Sequence, residues 1–177
     1  MDHLVVTVIA EDQPGLVERI AKCITEHGGN WLDSRMAHMA GQFAGILRIG
    51  VMPDRQPGLI DGLKELEQQG IRVLLAGAGP STPAQAQAIL LELVGNDRPG
   101  IIREITRLLA EHRVNLESLD TDVLPAPMSG EPLFHARARL AVPSEVSLGE
   151  LQTHLETLAD DLMVELQLQP SEYRGAP

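Results

Sequence analysis

The sequence predicts an α+β protein made of two tandem copies of one βαββαβ unit. The segment EDQPGLVERI at residues 11–20 recurs as NDRPGIIREI at residues 96–105, so that Asp97 lies 85 residues after Asp12 (97 − 12). In both places a short apolar strand pattern precedes the segment, and apolar residues at helical spacing follow it. Because an offset of 85 nearly halves a chain of 177 residues, two small domains are the simplest account.

The first half contains its predicted elements in the order βαββαβ. An apolar, β-branched run at 4–9 predicts a buried strand, which Pro14-Gly15 follows as a break. A helix that Gly28-Gly29 ends is predicted by apolar residues at helical spacing, namely Leu16, Val17, Ile20, Ala21 and Ile24. The remaining predicted elements are strands at 31–37 and 43–51 joined by a turn at Gly41-Gln42, a helix carrying Leu59, Ile60, Leu63 and Leu66, and a strand at 72–76.

The second half repeats this order with a longer hairpin. Its predicted elements are strands at 89–94, 115–122, 134–142 and 164–168, a helix carrying Ile101, Ile102, Ile105, Leu108 and Leu109, and a helix carrying Leu148, Leu151, Leu155 and Leu158. In the strand at 134–142, apolar side chains alternate with polar or small ones, which predicts a sheet covered on one face only. Phe134 lies 91 residues after Phe43 (134 − 43), so this hairpin has six extra residues (91 − 85), in a loop at 124–132 rich in proline and glycine.

A segment rich in glycine and proline, from Gly77 to Pro83, separates the repeats. It predicts a first domain at 1–78, a linker at 79–86 and a second domain at 87–177. The sequence Gly77-Ala78-Gly79 after a strand would also suit a dinucleotide site, but Thr82 stands where the third glycine of that motif belongs. A plain linker is the preferred interpretation.

The composition excludes several classes of function. The formal net charge is −11, and an acidic surface repels phosphate backbones, so direct nucleic-acid binding is not expected. No apolar run reaches the ~20 residues of a membrane-spanning helix, and the N-terminus has no secretory signal pattern. With Cys23 as the single cysteine, we expect a soluble cytoplasmic protein without a membrane partner. Small domains bury a modest share of their surface, so a homo-oligomer is also expected.

The repeated turn has the chemistry of an amino-acid site. A helix N-terminus presents unpaired backbone N–H groups and a partial positive charge, which suit a carboxylate. Pro14 and Pro99 are expected in the first helical turn, and the glycines after them would let a ligand approach closely. Asp12 and Asp97 either cap the helix or accept hydrogen bonds from a ligand ammonium group. The alternative is that Asp-x-Pro-Gly only forms a tight strand-to-helix turn.

This pattern resembles the ACT domain, a ligand-binding regulatory module, in two tandem copies that cover nearly the whole chain. The features found in both halves are a strand, Asp-x-Pro-Gly before the first helix, Glu26-His27 or Glu111-His112 at its end, and Asn30 or Asn115 at the second strand. The stretch at 30–36 and the Gly41-Gln42-Phe43 sequence after it also resemble the glycine cleavage system transcriptional repressor group, whose members are tandem ACT proteins.

The resemblance implies a ferredoxin-like fold in each half, with four antiparallel strands and two helices on one face. In ACT domains the effector usually lies at an interface between modules, against the loop after the first strand and the start of the second strand. The implied ligand-binding residues are Asp12, Gly15, Leu16 and Asn30 in the first copy and Asp97, Gly100, Ile101 and Asn115 in the second. Asparagine both donates and accepts hydrogen bonds, as a zwitterionic ligand requires.

For the repressor group, the implied function is a non-enzymatic, amino-acid-responsive regulator. The implied effector is a small amino acid, glycine or serine, and the implied partner is the LysR-type transcriptional activator of the glycine cleavage genes. Repression would act through protein contact, which agrees with the acidic charge. The alternative is a regulatory subunit of an amino-acid biosynthetic enzyme under feedback control.

Catalysis is not predicted. The sequence lacks the H-E-x-x-H, C-x-x-C, G-x-S-x-G and P-loop motifs, and its six histidines show no metal-ligand spacing, so neither a metal nor a cofactor is expected. His27 and His112 are interpreted as caps at equivalent helix ends, and Cys23 as a small buried residue.

Three further features of the sequence can be interpreted structurally or functionally. Trp31, which corresponds to Leu116, is interpreted as core or edge packing, with filling of a small pocket or capping of an interface as the alternative. Arg35 corresponds to Asp120, so charged contacts differ between the copies and one copy alone could be the working site. The outward row His135, Arg137 and Arg139 is interpreted as a solvated sheet face, with contact to a partner or an anion as the alternative.

Overall fold

The computed structural model describes residues 2–77 and 86–171. These residues form two compact units, the first within 2–77 and the second within 86–171. The predicted linker at 79–86 lies outside the described residues apart from Ala86, with which a strand begins. The domain limits therefore stay predictions.

The first unit contains the six predicted elements in the predicted order. They are β1 (Asp2–Glu11), α1 (Leu16–Glu26), β2 (Asn30–Met39), β3 (Gln42–Val51), α2 (Gln56–Glu65) and β4 (Arg72–Gly77), with a short 3-10 helix at Leu66–Gln69 after α2. β1 pairs with β3 and β4, and β2 pairs with β3, all antiparallel. The order across the sheet is therefore β2-β3-β1-β4.

The second unit repeats this topology. Its elements are β5 (Ala86–Asn96), α3 (Ile101–Glu111), β6 (Asn115–Pro125), β7 (Pro132–Pro143), α4 (Leu148–Leu162) and β8 (Val164–Pro170). The antiparallel order β6-β7-β5-β8 matches that of the first sheet element by element. Both units are thus ferredoxin-like α+β folds, and the predicted fold class is confirmed.

Each unit has its own core between one face of its sheet and its two helices. The first core includes Leu4, Val6, Val8, Leu16, Ile20, Ile24, Leu47, Ile49, Leu59 and Leu63. The second includes Ile89, Leu91, Leu93, Ile101, Ile105, Leu109, Ala138, Leu140, Leu151 and Leu155. In β7 the predicted alternation holds, because Ala136, Ala138, Leu140 and Val142 are buried. The prediction that helices cover one face only is confirmed.

The strands are longer than the apolar pattern predicted. β1 extends two residues beyond the predicted run at each end, because backbone pairing to β3 continues from Asp2 to Glu11. The predicted loop at 124–132 was wrong at its ends: β6 continues to Pro125 and β7 begins at Pro132. Hydrogen bonds in a ladder involve the backbone, so pairing continues past the last buried side chain.

The tight turns and helix ends follow backbone requirements. Ala40 and Gly41 both have positive φ and form the β2–β3 turn, one residue earlier than the predicted Gly41-Gln42. Gly28 has φ 71° just after α1, as the helix-ending glycine pair predicted. α4 begins at the Ser147 cap, whose hydroxyl accepts the Glu150 N–H.

Candidate functional site

The loop between β1 and α1 is tied to the neighbouring hairpin. The Asp12 N–H donates to the Gly41 carbonyl at 2.9 Å, which joins the end of β1 to the β2–β3 turn. Gly15 has φ 86° and stands at the N-cap of α1. A Cβ added at Gly15 would meet nothing within 4 Å, so the backbone conformation rather than space selects glycine here.

The start of α1 leaves backbone donors without helical partners. The Arg19 N–H donates to the Gly15 carbonyl at 3.0 Å as the first helical hydrogen bond. The N–H groups of Leu16, Val17 and Glu18 precede that bond and have no carbonyl within the helix. The Leu16 side chain is buried in the core, so the helix end that carries these donors is anchored. The geometry suits a small anion such as a carboxylate.

The second copy reproduces this arrangement. The Asp97 N–H donates to the Pro132 carbonyl at 3.0 Å, and the Glu104 N–H donates to the Gly100 carbonyl at 3.0 Å. Gly100 has φ 98°, and Ile101 is buried as Leu16 is. The repeated segment therefore forms the same backbone structure twice.

Two details of the predicted turn are corrected. Pro14 and Pro99 lie before the N-cap glycines and not in the first helical turn, because the left-handed glycine separates each proline from its helix. Asp12 and Asp97 are not N-cap residues, and both are exposed. With the N-cap position occupied by glycine, their carboxylates are left for solvent or a ligand.

The two asparagines lie at the other end of their sheets. Asn30 pairs with Gly50, which pairs with His3, whereas Asp12 follows the opposite end of β1. At about 3.3 Å per residue, the eight residues of β1 between these ends span roughly 25 Å. In the second unit, Asn115 begins β6 at the end of the sheet opposite to Asp97. One small ligand therefore cannot touch both groups within a single unit.

A cavity of about 400 Å³ lies beside the first turn. It is lined by Ile9, Ala10, Glu11, Gln13, Gln42, Glu67, Gly70 and Arg72. Its walls offer the Arg72 guanidinium and two carboxylates, a combination that suits a ligand carrying both charges. Sequence reasoning missed these residues because they come from four separate elements, which the pairings of Ile9 with Arg72 and of Glu11 with Gln42 bring together.

The copies diverge around the second strand. Trp31 is half-buried against the first core, which is where the packing interpretation places it, and Leu116 packs likewise in the second unit. The Arg35 guanidinium contacts the Asp33 carboxylate at 3.0 Å. Asp120 instead faces Arg137 across the β6–β7 ladder. Charged ligand contacts at these positions cannot be equivalent in the two copies.

A cysteine and two histidines are the residues that could most readily be taken for a catalytic nucleophile and its base, and each has a structural role. Burial raises the pKa of the Cys23 thiol, and the nearby Glu26 and Glu65 carboxylates raise that pKa further, so the reactive thiolate is disfavoured. His27 Nδ1 lies 2.8 Å from the Cys23 carbonyl oxygen at the end of α1, as the capping interpretation predicted. His112 is also a C-cap residue, but its ring meets His154, with 2.9 Å between Nε2 and Nδ1.

Within residues 2–77 and 86–171, no group of three or more His, Cys, Asp or Glu side chains is placed to hold a metal ion. Among the helices of the same ranges, none has the length and apolar character needed to cross a membrane.

Models of the ACT domain match residues 2–73 and residues 89–128. Over 167 residues the chain is 22% identical to the glycine cleavage system transcriptional repressor of Escherichia coli (strain K12), covering 90% of this chain and 85% of that protein. It is 35% identical over 89 residues to a UPF0237 protein of Methanopyrus kandleri, which covers 49% of this chain and 91% of that protein.

Two solved structures share the architecture over nearly the whole chain. A protein of unknown function from Galdieria sulphuraria superimposes with a TM-score of 0.81 at 27% identity, covering 96% of this chain and 98% of the other. A protein provisionally assigned as a glycine cleavage system transcriptional repressor superimposes with a TM-score of 0.73 at 22% identity, covering 97% and 98%. The tandem arrangement of two ferredoxin-like units is thus shared with known structures.

Proposed function

We propose that this chain, which belongs to the ACT-domain family, is a non-enzymatic regulator that binds a small amino acid and represses glycine cleavage genes through protein contact. The observation that carries the proposal is the alignment with the glycine cleavage system transcriptional repressor, which extends over 90% of this chain and therefore includes both copies. Shared tandem architecture with that relative favours a shared regulatory role.

The backbone of each turn supports an amino acid as the ligand. Free N–H groups at the start of α1 and α3 suit the ligand carboxylate, and the exposed carboxylates of Asp12 and Asp97 suit its ammonium group. In the first unit, the cavity beside the turn adds the Arg72 guanidinium, which suits the ligand carboxylate, and the Glu11 and Glu67 carboxylates, which suit its ammonium group. We infer glycine or serine from the similarity to the glycine cleavage system transcriptional repressor, since the turn itself contacts only the charged ends that every amino acid has.

The separation of Asp12 from Asn30 gives the site a regulatory consequence. We infer that a ligand contacting both types of residue lies where the turn of one module meets the second strand of a module in a partner copy. Binding would then favour the arrangement of modules in which the two groups are close, and it would disfavour others. The shift is limited by the difference in ligand affinity between the arrangements.

Contact with another protein, rather than with DNA, agrees with the charge of the chain. A net charge of −11 repels the phosphate backbone, so repression needs a DNA-bound partner. We infer that this partner is the LysR-type activator of the glycine cleavage genes. The proposal assigns no catalytic role to Cys23 or His27, because Cys23 is buried and the His27 ring contacts a carbonyl at the end of α1.

The proposal is tested by capture of the activator on the immobilised protein, with and without glycine. We expect the activator to be retained and glycine to change the retained amount, by about 5-fold or more if coupling reaches 1 kcal/mol. The Asn30→Ala and Asn115→Ala double variant should retain the activator but lose the response to glycine. Direct binding of the purified protein to promoter DNA, weakening steeply with salt, would contradict the proposal. Retention of a biosynthetic catalytic subunit instead of the activator would favour a feedback subunit.

A further inference from the structure

The cavity beside the first turn contains charges of both signs that do not pair with one another. Its walls carry the Arg72 guanidinium and the Glu11 and Glu67 carboxylates. None of the ion pairs formed within the described part of the chain involves any of these three side chains. Charged groups that are left apart in this way can each bind a ligand group of opposite charge.

The backbone sets the positions of these charges. Arg72 lies opposite Ile9 in the β1–β4 ladder, and Glu11 is two residues further along β1. Arg72 and Glu11 are therefore diagonal neighbours on one face of the sheet, with Cβ atoms roughly 7 Å apart. Glu67 comes from the 3-10 helix before β4, which Gly70 ends with φ 83°. A Cβ added at Gly70 would meet nothing within 4 Å, so this part of the cavity is open.

The second copy has the opposite charge at the position of Arg72. Ile9 pairs with Arg72 in the first sheet, and Val94 pairs with Glu165 in the second. Ile9 and Val94 are separated by the repeat offset of 85 (94 − 9), so Glu165 corresponds to Arg72. A group that attracts a ligand carboxylate in the first copy is thus replaced by a group that repels it.

The helix end beside this position differs in shape but not in charge. The Gly70 N–H donates to the Glu67 carbonyl, and the Met163 N–H donates to the Asp160 carbonyl in the same way. Met163 therefore corresponds to Gly70, and its φ of 54° is also positive. Asp160 corresponds to Glu67, so the acidic group is kept. Methionine adds a side chain where glycine leaves open space.

The remaining wall positions differ as well. Asn96 pairs with Leu133 where Glu11 pairs with Gln42, so a carboxylate and an amide are lost. Arg98 is the cation that the second copy does have, and it follows Asp97 as Gln13 follows Asp12. It lies in the loop beyond β5 and not on a strand. The strand and the helix end that form the fixed wall therefore present only carboxylates in the second copy.

We propose that the first copy alone binds the amino acid, with Arg72 holding its carboxylate and the two glutamates of the cavity holding its ammonium group. The inference rests on the proposed function and assigns its ligand to one of the two turns. A single carbon atom separates the two charged groups of an amino acid, so opposite charges on the two sides of a small gap can bind both. Glu165 prevents the same binding in the second copy.

The second turn then has a structural role. The Asp97 N–H bond to the Pro132 carbonyl and the left-handed Gly100 reproduce the backbone of the first turn. This backbone connects a strand to a helix, so the fold requires it whether or not a ligand binds. The repeat of Asp-x-Pro-Gly is therefore compatible with a single working site.

Isothermal titration calorimetry of the full chain with glycine and with serine measures the number of sites and the affinity together. We expect a single site per chain. Arg72→Gln and Glu165→Gln are matched variants, because each neutralises one charge at equivalent positions. Arg72→Gln should raise the dissociation constant about 10-fold or more, since the charge-assisted hydrogen bonds to the carboxylate are lost. Glu165→Gln should leave it unchanged.

Gly70→Met tests the shape of the cavity without changing its charge. The variant gives the first copy the residue of the second, and it should also weaken binding. Circular dichroism checks that the variants are folded, and Arg72→Ala replaces Arg72→Gln if that one fails to fold. Two sites per chain, or equal effects of the matched variants, would overturn the inference and leave the proposed function standing. A wild-type protein that binds neither amino acid would overturn both.

Discussion

Ile20→Ala is expected to lower the free energy of unfolding of the first unit by about 2–5 kcal/mol. Ile20 is fully buried in the first core, on the inward face of α1. Its truncation removes buried methyl and methylene groups and leaves a cavity that a close-packed core fills only in part. A unit of this size has a total stability of roughly 4–12 kcal/mol, so the loss is a large fraction of it.

Trp31 provides the measurement, because it is the only tryptophan in the chain and packs against the first core. Its fluorescence during urea denaturation reports the unfolding of that unit. The control is Val17→Ala on the same helix, where the side chain is 45% exposed although the sequence pattern predicted it on the apolar face. We expect a change below about 1 kcal/mol there. Equal effects of the two substitutions would contradict the assignment of this core.

Gly95→Ala is expected to destabilise the second unit by about 1–3 kcal/mol. A Cβ at Gly95 would collide with Val164 Cγ1 and would lie 3.1 Å from the Val164 Cα. Because the backbone of β8 as well as a side chain is in the way, a rotamer change cannot relieve the contact. The neighbouring strand must move, and the pairing of Gly95 with Val164 must weaken.

Gly149→Ala in the same unit is the matched control with the opposite expected sign. Gly149 is the second residue of α4, and an added Cβ there meets only Ser147 Oγ, at 4.0 Å. Alanine in a helix is favoured over glycine by up to about 1 kcal/mol, so the melting temperature should stay unchanged or rise. Thermal unfolding followed by circular dichroism separates the two variants. A rise with Gly95→Ala would show that β8 does not pack as described.

The fold could be predicted from the sequence because the repeat and the hydrophobic pattern agree. Ile20, Ile24, Ile105 and Leu109 follow helical spacing in copies that share one topology, so each half supports the interpretation of the other. Strand ends could not be predicted to the residue, since ladder pairing at Asp2 or Pro125 leaves no apolar signal. The exposure of Val17 was not predicted, because helical spacing identifies the apolar face of a helix but not where that face ends.

The local backbone of the candidate site could be predicted in part from the sequence. The way in which separate strands meet around it could not. Asp-x-Pro-Gly before an apolar helix predicted a helix start with free N–H groups in both copies, but it did not predict the left-handed glycines that leave the prolines outside the helices. The separation of Asp12 from Asn30 depends on strand direction, which spacing along the chain does not express. The cavity wall that includes Glu67 and Arg72 depends on the pairing of β4 with β1. Such residues carry no motif because they meet only in the folded unit.

The most direct test of the account is a thermal-shift measurement of the purified protein against each of the twenty amino acids. Glycine or serine at about 100 times its dissociation constant should stabilise the native state by about 2.7 kcal/mol and raise the melting temperature by roughly 10–20 °C. The increase should be lost in Asn30→Ala or in Asn115→Ala and kept in Gln152→Ala, an exposed amide on α4. A flat response to all twenty amino acids would contradict the claim that this chain is an amino-acid sensor.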